Sequence, residues 1–261
     1  MRIGFIGAGN MAGALGAAIA ASDADVVFAA YDVSPGQLDR FASQVPRSQA
    51  AGSNTEVVRS SDVTFLAVKP QGVDSVFPEI RDTDALIASI VAGVRISRME
   101  AALPRARIVR VMPNTPALVG EMAAGYAGGS RAGEADLQLV GALLERAGVA
   151  IRLPEELLDA VTGVAGSGPA FVARLIEAFV DAAAREGLPR DVATRLVLAT
   201  FSGTARLLER KQLTPDELVA MVSSKGGTTV AGRRVLESSD MHATIRQTIA
   251  TAVARSKELG T

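Results

Sequence analysis

Arg2-Ile3-Gly4-Phe5-Ile6 followed at once by Gly7-Ala8-Gly9-Asn10-Met11-Ala12 is the stretch whose reading decides the fold. Five residues rich in branched and aromatic side chains make a strand. The next six form a Gly-x-Gly-x-x-Ala turn that opens an apolar helix. Each small residue has a physical reason. Gly7 permits a tight turn, Gly9 lets backbone approach a pyrophosphate, and Ala12 lets helix and strand pack closely. The first free N–H groups of the helix, at Asn10, Met11 and Ala12, then face an anion. A strand, this turn and a helix in that order imply a dinucleotide site.

Working outward, strand and helix signals alternate. Further strands are expected at Val26–Tyr31, Val63–Val68, Ala85–Val91 and Arg107–Met112, mostly as continuous apolar runs. Such runs fit a parallel sheet covered by helices on both faces. Ser34-Pro35-Gly36-Gln37 offers an N-cap, a first-turn Pro and a capping-box Gln. Asn54 is expected to cap the helix before the Val63 strand. The pattern reads as a doubly wound α/β domain over residues 1–153.

After Leu153 the period changes, and residues 154–261 read as all-helical. Pro154-Glu155-Glu156 opens a helix. Phe171, Val172, Leu175, Ile176, Phe179 and Val180 recur at helical spacing and predict one long buried face. Gly187-Leu188-Pro189 ends that helix, Thr214-Pro215-Asp216-Glu217 starts another, and Ile245, Ile249 and Val253 mark the last. A unit of this size gains by burying helices against a second copy of the chain.

Asp32 ends the second strand, twenty residues beyond Ala12. An acid there accepts hydrogen bonds from adenosine ribose hydroxyls and repels a 2′-phosphate, which favours NADH. The hydroxyl of Ser34 could meet a 2′-phosphate or serve as a helix cap. NADPH therefore stays open.

Composition excludes several classes. The 261 residues carry a net charge of −1 with no basic cluster, against nucleic-acid or polybasic membrane binding. There is no cysteine, hence no disulfide, thiolate ligand or cysteine nucleophile. The single histidine, His242, cannot build a multi-histidine metal site, and no metal is expected. A strand begins at Arg2, leaving no room for a signal peptide. The apolar stretch Ala160 to Ala184 is interrupted by Arg174, Glu177 and Asp181, so no membrane span is expected.

Four more segments complete a set: Ala67-Val68-Lys69-Pro70-Gln71, Val111-Met112-Pro113-Asn114-Thr115-Pro116, Gly166-Ser167-Gly168-Pro169-Ala170-Phe171, and Ser223-Ser224-Lys225-Gly226-Gly227-Thr228-Thr229-Val230-Ala231-Gly232. With the glycine turn, their order and spacing resemble the pyrroline-5-carboxylate reductases over essentially the whole chain. The resemblance implies a Rossmann-type doubly wound parallel sheet followed by an all-α dimerisation domain, with the active site between them. It further implies NADPH or NADH as cofactor, cytoplasmic proline biosynthesis, and homodimers, with assembly into a ring of dimers left open.

By the same resemblance Asn54 lies near the adenosine ribose. Ala67, Lys69 and Pro70 flank the nicotinamide side, as do Met112, Pro113 and Asn114. The Ser224 hydroxyl and the amides at Gly227 and Thr228 hold the substrate carboxylate, and Thr229 bonds the ring nitrogen. Two departures stand out. Lys225 occupies a position where the family pattern often has Pro, and is either a solvated lysine or an attractant for the anionic substrate. Phe171 replaces a common tyrosine.

The residues suit an imine. Its nitrogen binds already protonated, so no acid–base side chain is needed, and the protein has only to align the reactants. A related class, the 3-hydroxyacid dehydrogenases, uses a lysine in the helix-entry motif. Gly163, Gly166 and Gly168 match that motif, but Val172 stands in the lysine's place and cannot move a proton. Reduction of a larger cyclic imino acid and noncatalytic dinucleotide sensing are the other activities this pattern could serve. The intact Gly226-Gly227-Thr228-Thr229 stretch argues against the second.

Overall fold

The computed structural model describes residues 1–260. Its helices are α1 (Asn10–Ser22), α2 (Pro35–Gln44), α3 (Asn54–Arg59), α4 (Val73–Val76), α5 (Ile96–Ala102), α6 (Glu134–Glu145), α7 (Leu158–Val161), α8 (Gly168–Arg185), α9 (Arg190–Lys211), α10 (Pro215–Val222), α11 (Thr228–Glu237) and α12 (Met241–Leu259). Its strands are β1 (Arg2–Ile6), β2 (Val27–Tyr31), β3 (Ser48–Ala50), β4 (Val63–Leu66), β5 (Leu86–Ser89), β6 (Arg107–Met112), β7 (Met122–Gly128) and β8 (Gly148–Arg152).

Contacts divide the chain into two compact units: Met1–Pro169 with residues 251–260, and Ala170–Ala250. In the first unit the sheet order is β3-β2-β1-β4-β5-β6-β7-β8. The pairs from β3 through β6 are parallel, β7 runs antiparallel to β6, and β8 runs parallel to β7. The chain reverses direction across the sheet between β1 and β4, and such switch points open a crevice at the strands' carboxyl ends. Aromatic packing holds β1 in the middle. Phe5 lies 5.2 Å from the rings of both Phe41 and Phe65 and is fully buried.

Three strands escape the sequence reading. β3 is three residues of Ser-Gln-Ala, too short and polar to show a period. β7 reads Met-Ala-Ala-Gly-Tyr-Ala-Gly, and its glycines are imposed by neighbours. A Cβ at Gly125 would stand 2.8 Å from Val161, and one at Gly128 would stand 2.9 Å from Leu137. β8 is an edge strand whose Val149 and Ile151 are both 53% exposed.

The local caps also differ from expectation. Ser53, not Asn54, caps α3, its hydroxyl accepting the Glu56 N–H at 3.1 Å. Asn54 is the first helical residue and turns its amide inward. Ser34 holds the N-cap position of α2 without a side-chain bond, so the expected capping box is not made there. Thr214 and Glu217 do form one on α10, with Glu217 accepting the Thr214 N–H at 2.8 Å. That backbone bond, and then the threonine hydroxyl, hold the Glu217 carboxyl below its ordinary pKa. Glu155–Leu157 is a 3-10 turn rather than a regular helix start.

The second unit is helical throughout. Its small core is Val180, Ala193 and Val197, with Phe179 meeting Phe201 edge-on at 5.2 Å. The face expected to be buried on α8 is not covered by the chain itself. Val172, Leu175 and Phe179 are 41–50% exposed, and of the six residues only Val180 is buried. Residues 155–185 are by length and composition apolar enough to cross a bilayer, with a mean hydropathy of 1.2 in the richest window. Sequence periodicity reports which face must be covered; it does not say by what.

Gly148 tests the missed strand pair. It has φ +147°, and a Cβ there would collide with the Met122 backbone. Gly148→Ala is expected to cost about 2 kcal/mol or more from backbone strain and collision together. Thermal unfolding checks it, and an unchanged Tm contradicts the β7–β8 register.

Candidate active site

The carboxyl ends of β1, β2 and β4 meet at the glycine turn. The Gly7 N–H donates to the Tyr31 carbonyl at 2.8 Å, and the Ala67 N–H donates to the Ile6 carbonyl at 2.7 Å. Gly7 adopts φ +91°, and a Cβ there would lie 2.8 Å from the Ala67 backbone. The turn can therefore be built only with glycine. Gly9 is different. Its φ is −75°, open to any residue, and a Cβ there would meet no protein atom within 4 Å. Nothing among the described residues requires glycine at position 9, so the open space there suits a group that is not part of the chain. No side chain caps α1 beyond it. The N–H groups at Asn10, Met11 and Ala12 keep the anion-favouring end of the helix available. These observations fit a dinucleotide pyrophosphate.

Asp32 braces the turn. Its Oδ2 accepts the Ala8 N–H at 2.8 Å, and its Oδ1 accepts the Ser34 N–H at 2.9 Å. Each carboxylate oxygen keeps a second lone pair. Val33 follows it and is 89% exposed, an apolar side chain on the rim of the crevice that sequence reasoning passed over. A large apolar residue directly after a strand-end acid was the available signal.

Asn54 is buried, and its Nδ2 donates to the Glu79 carboxylate at 3.1 Å. A carboxylate can only accept, which turns the Asn54 oxygen away from Glu79. Lys69 and Pro70 are exposed at the exit of β4, and Ala67 is half-buried beneath them. Met112 ends β6, and Pro113 and Asn114, which follow it, are buried.

In the second unit, Ser224 to Gly227 form a tight turn. The Gly227 N–H donates to the Ser224 carbonyl at 3.0 Å, and Gly226 has φ +75°. A turn with positive φ at its third position favours Pro at its second, which is where Lys225 stands. The Ser224 hydroxyl lies so close over Gly227 that a Cβ there would collide with it. Gly227 is the N-cap of α11 and brings no side-chain cap, while Thr228 and Thr229 are exposed on the first turn. His242 is exposed on α12. No group of three or more potential metal ligands occurs among the described residues.

Residues 155–259 match the family model for pyrroline-5-carboxylate reductase dimerisation, and residues 2–93 match that for F420-dependent NADP oxidoreductases. A pyrroline-5-carboxylate reductase from Methanosarcina acetivorans is 40% identical, covering 99% of this chain and 98% of its own. The chain belongs to the pyrroline-5-carboxylate reductase family. Among solved structures, a pyrroline-5-carboxylate reductase from Coxiella burnetii superposes with a TM-score of 0.94 at 30% identity, covering 99% of this chain and 98% of that one. A Plasmodium falciparum pyrroline carboxylate reductase with NADP bound gives 0.86 at 29% identity, covering 100% and 98%.

A separate cleft of about 770 Å³ lies at the amino ends of β4, β5 and β6, lined by Arg59, Asp62, Arg81, Asp84 and Arg107 among others. It is at the opposite end of these strands from the glycine turn and holds none of the residues that carry the family resemblance.

The two glycines separate fold from binding. Gly9→Val is expected to leave Tm within about 2 °C, because its β-carbon enters open space, yet to weaken dinucleotide binding at least about tenfold by filling that space. Gly7→Ala is expected to lower Tm. Fluorescence titration with NADPH and NADH beside thermal unfolding checks both. A Gly9→Val protein that binds normally refutes this placement of the pyrophosphate.

Proposed function

We propose that this protein reduces 1-pyrroline-5-carboxylate to L-proline, using NADPH or NADH, as the last step of proline biosynthesis. The observation that carries the reading is the Ser224–Gly227 turn at the uncapped start of α11, in a chain that also carries an open glycine turn. A helix N-terminus with a serine hydroxyl over it suits a small carboxylate, through the positive end of the helix and the free N–H groups together. The threonine hydroxyl at 229, on the first turn of α11, suits the ring nitrogen.

Gly7, Gly9, Asn10, Met11 and Ala12 would hold the pyrophosphate, with Asp32, Ser34 and Asn54 toward the adenosine ribose. Val33 would add an apolar platform there. Ala67, Lys69, Pro70, Met112, Pro113 and the Asn114 segment would border the nicotinamide. When bound, the reduced nicotinamide supplies a hydride. The remaining work is positional. From Ser223 to Val230 the only ionisable side chain is Lys225, and the chemistry asks no proton of it. The substrate brings its own proton as an iminium. Hydride adds to the ring carbon, the π pair of the C=N bond settles on nitrogen, and the resulting amine takes a further proton from water. Thr229 aligns the nitrogen through this change, and Ser224 with the amide at Thr228 balances the carboxylate, the Gly227 N–H being committed to the Ser224 carbonyl and so shaping the turn.

The exposed apolar faces of the second unit, with Val172, Leu175, Phe179, Leu196, Val235 and Ile245 all at least 41% exposed, would close against a second copy. Arg174 and Asp181 interrupt the long apolar run and form ion pairs with Glu177 and Arg190, which suits a protein interface better than lipid. A homodimer, open to further assembly in a ring, follows from this reading. The cysteine-free composition is compatible with a cytoplasmic location.

Thr229→Ala is expected to lower kcat/KM about ten- to a thousandfold while dinucleotide binding stays within twofold. Following NADPH and NADH oxidation with pyrroline-5-carboxylate and with its six-membered analogue checks this. Full activity in the variant removes the role of Thr229. No turnover by the unsubstituted protein with any pair overturns the reading.

Sedimentation without detergent is expected to give a dimer or larger at micromolar concentration, and Phe179→Glu is expected to shift it toward monomer. A monomeric unsubstituted protein contradicts the interface.

A further inference from the structure

Asn114 is 7% exposed and uses both ends of its amide within the chain. Its Oδ1 accepts the Ala123 N–H at 2.9 Å, and its Nδ2 donates to the Ala165 carbonyl at 3.1 Å. The second bond has a cause written elsewhere in the sequence. In an α-helix the carbonyl of residue i accepts from the N–H of residue i+4. For Ala165 that residue is Pro169, which has no N–H to give. The helix is disturbed at the same place. Residues Thr162–Gly166 form a π turn, in which the Ser167 N–H reaches back five residues to the Thr162 carbonyl at 2.8 Å. Turns of this kind recur at functional sites, because they displace backbone that a regular helix would hold in line.

We infer that Asn114 is a positioning residue for the reduction: its amide replaces the donor that Pro169 lacks and so fixes the Ala165–Gly168 backbone against the carboxyl end of β6. The fit there is close. A Cβ on Gly166 would stand 2.8 Å from the Met112 methyl, so a small shift of the turn moves Met112, on the border assigned to the nicotinamide. Asn114 thus acts through Met112 and the turn, and its side chain does not serve as a cofactor ligand. The kinetic part rests on the proposed reductase activity; the exchange of donors between Asn114 and Pro169 does not.

The test is a double-substitution cycle with Asn114→Asp, Asn114→Ala and Pro169→Ala, read by kinetics, by fluorescence titration with NADPH and by thermal unfolding. Asn114→Asp keeps the oxygen that Ala123 uses and sets a second oxygen against the Ala165 carbonyl. It is expected to lower kcat at least tenfold, with the NADPH dissociation constant within twofold. Pro169→Ala restores an N–H at position 169. In the Asn114→Ala background it is expected to recover kcat at least threefold and to raise Tm. A tenfold weaker NADPH affinity with kcat intact overturns the inference. So do additive effects of the Asn114→Ala and Pro169→Ala substitutions on Tm. If the unsubstituted protein proves inactive with pyrroline-5-carboxylate, the reductase reading falls, while the Tm cycle still decides the donor exchange.

Discussion

The turn leaving β1 runs so near the start of the loop after β4 that a single added carbon at Gly7 would press into the Ala67 backbone. This close approach is where three strands end together, and the placement of the groups around the glycine turn depends on it. Two backbone bonds tie β1 to β2 and β4 at that level, and the Asp32 carboxylate ties the turn to the end of β2. Because these groups are satisfied within the chain, the free N–H groups of α1 and the open space at Gly9 are left facing outward. A binding surface results from what the fold does not fill.

The chemistry assigned to the chain asks little of any one side chain. There is no cysteine, and the one histidine is exposed on α12. A protonated imine tolerates that poverty, since the activating proton arrives with the substrate. The catalytic contribution is then mostly orientation, which backbone geometry can supply. That is consistent with how much of the site is glycine, proline and main-chain amide. It also explains why the Val172 position can be apolar, where the hydroxyacid dehydrogenases need a lysine.

Much of this was legible beforehand, because glycine at a tight turn and period-two or helical patterning act locally. β1, β2, β4, β5 and β6 carry apolar runs that declare themselves, and Thr214 and Glu217 announce α10. β7 does not declare itself. Its glycines follow from side chains of α6 and α7 that press on it, and β-propensity is largely such packing. Asn54 was misplaced as a cap because a serine one residue earlier competes for that role. The α8 stripe was rightly apolar, yet most of it is uncovered within the chain. In the site, the motifs were readable but the commitments of their side chains were not. Whether Asn114 faces a ligand or the Ala165 carbonyl is decided by a residue 51 positions away.

The central claim is that the chain delivers hydride to the carbon of a cyclic C=N bond. Turnover with nicotinamide deuterated at the transferable C4 position, followed by mass spectrometry and NMR of the product, tests it directly. The account predicts one deuterium per proline, on the δ-carbon beside nitrogen. Proline that carries no label, or label at another carbon, would contradict it.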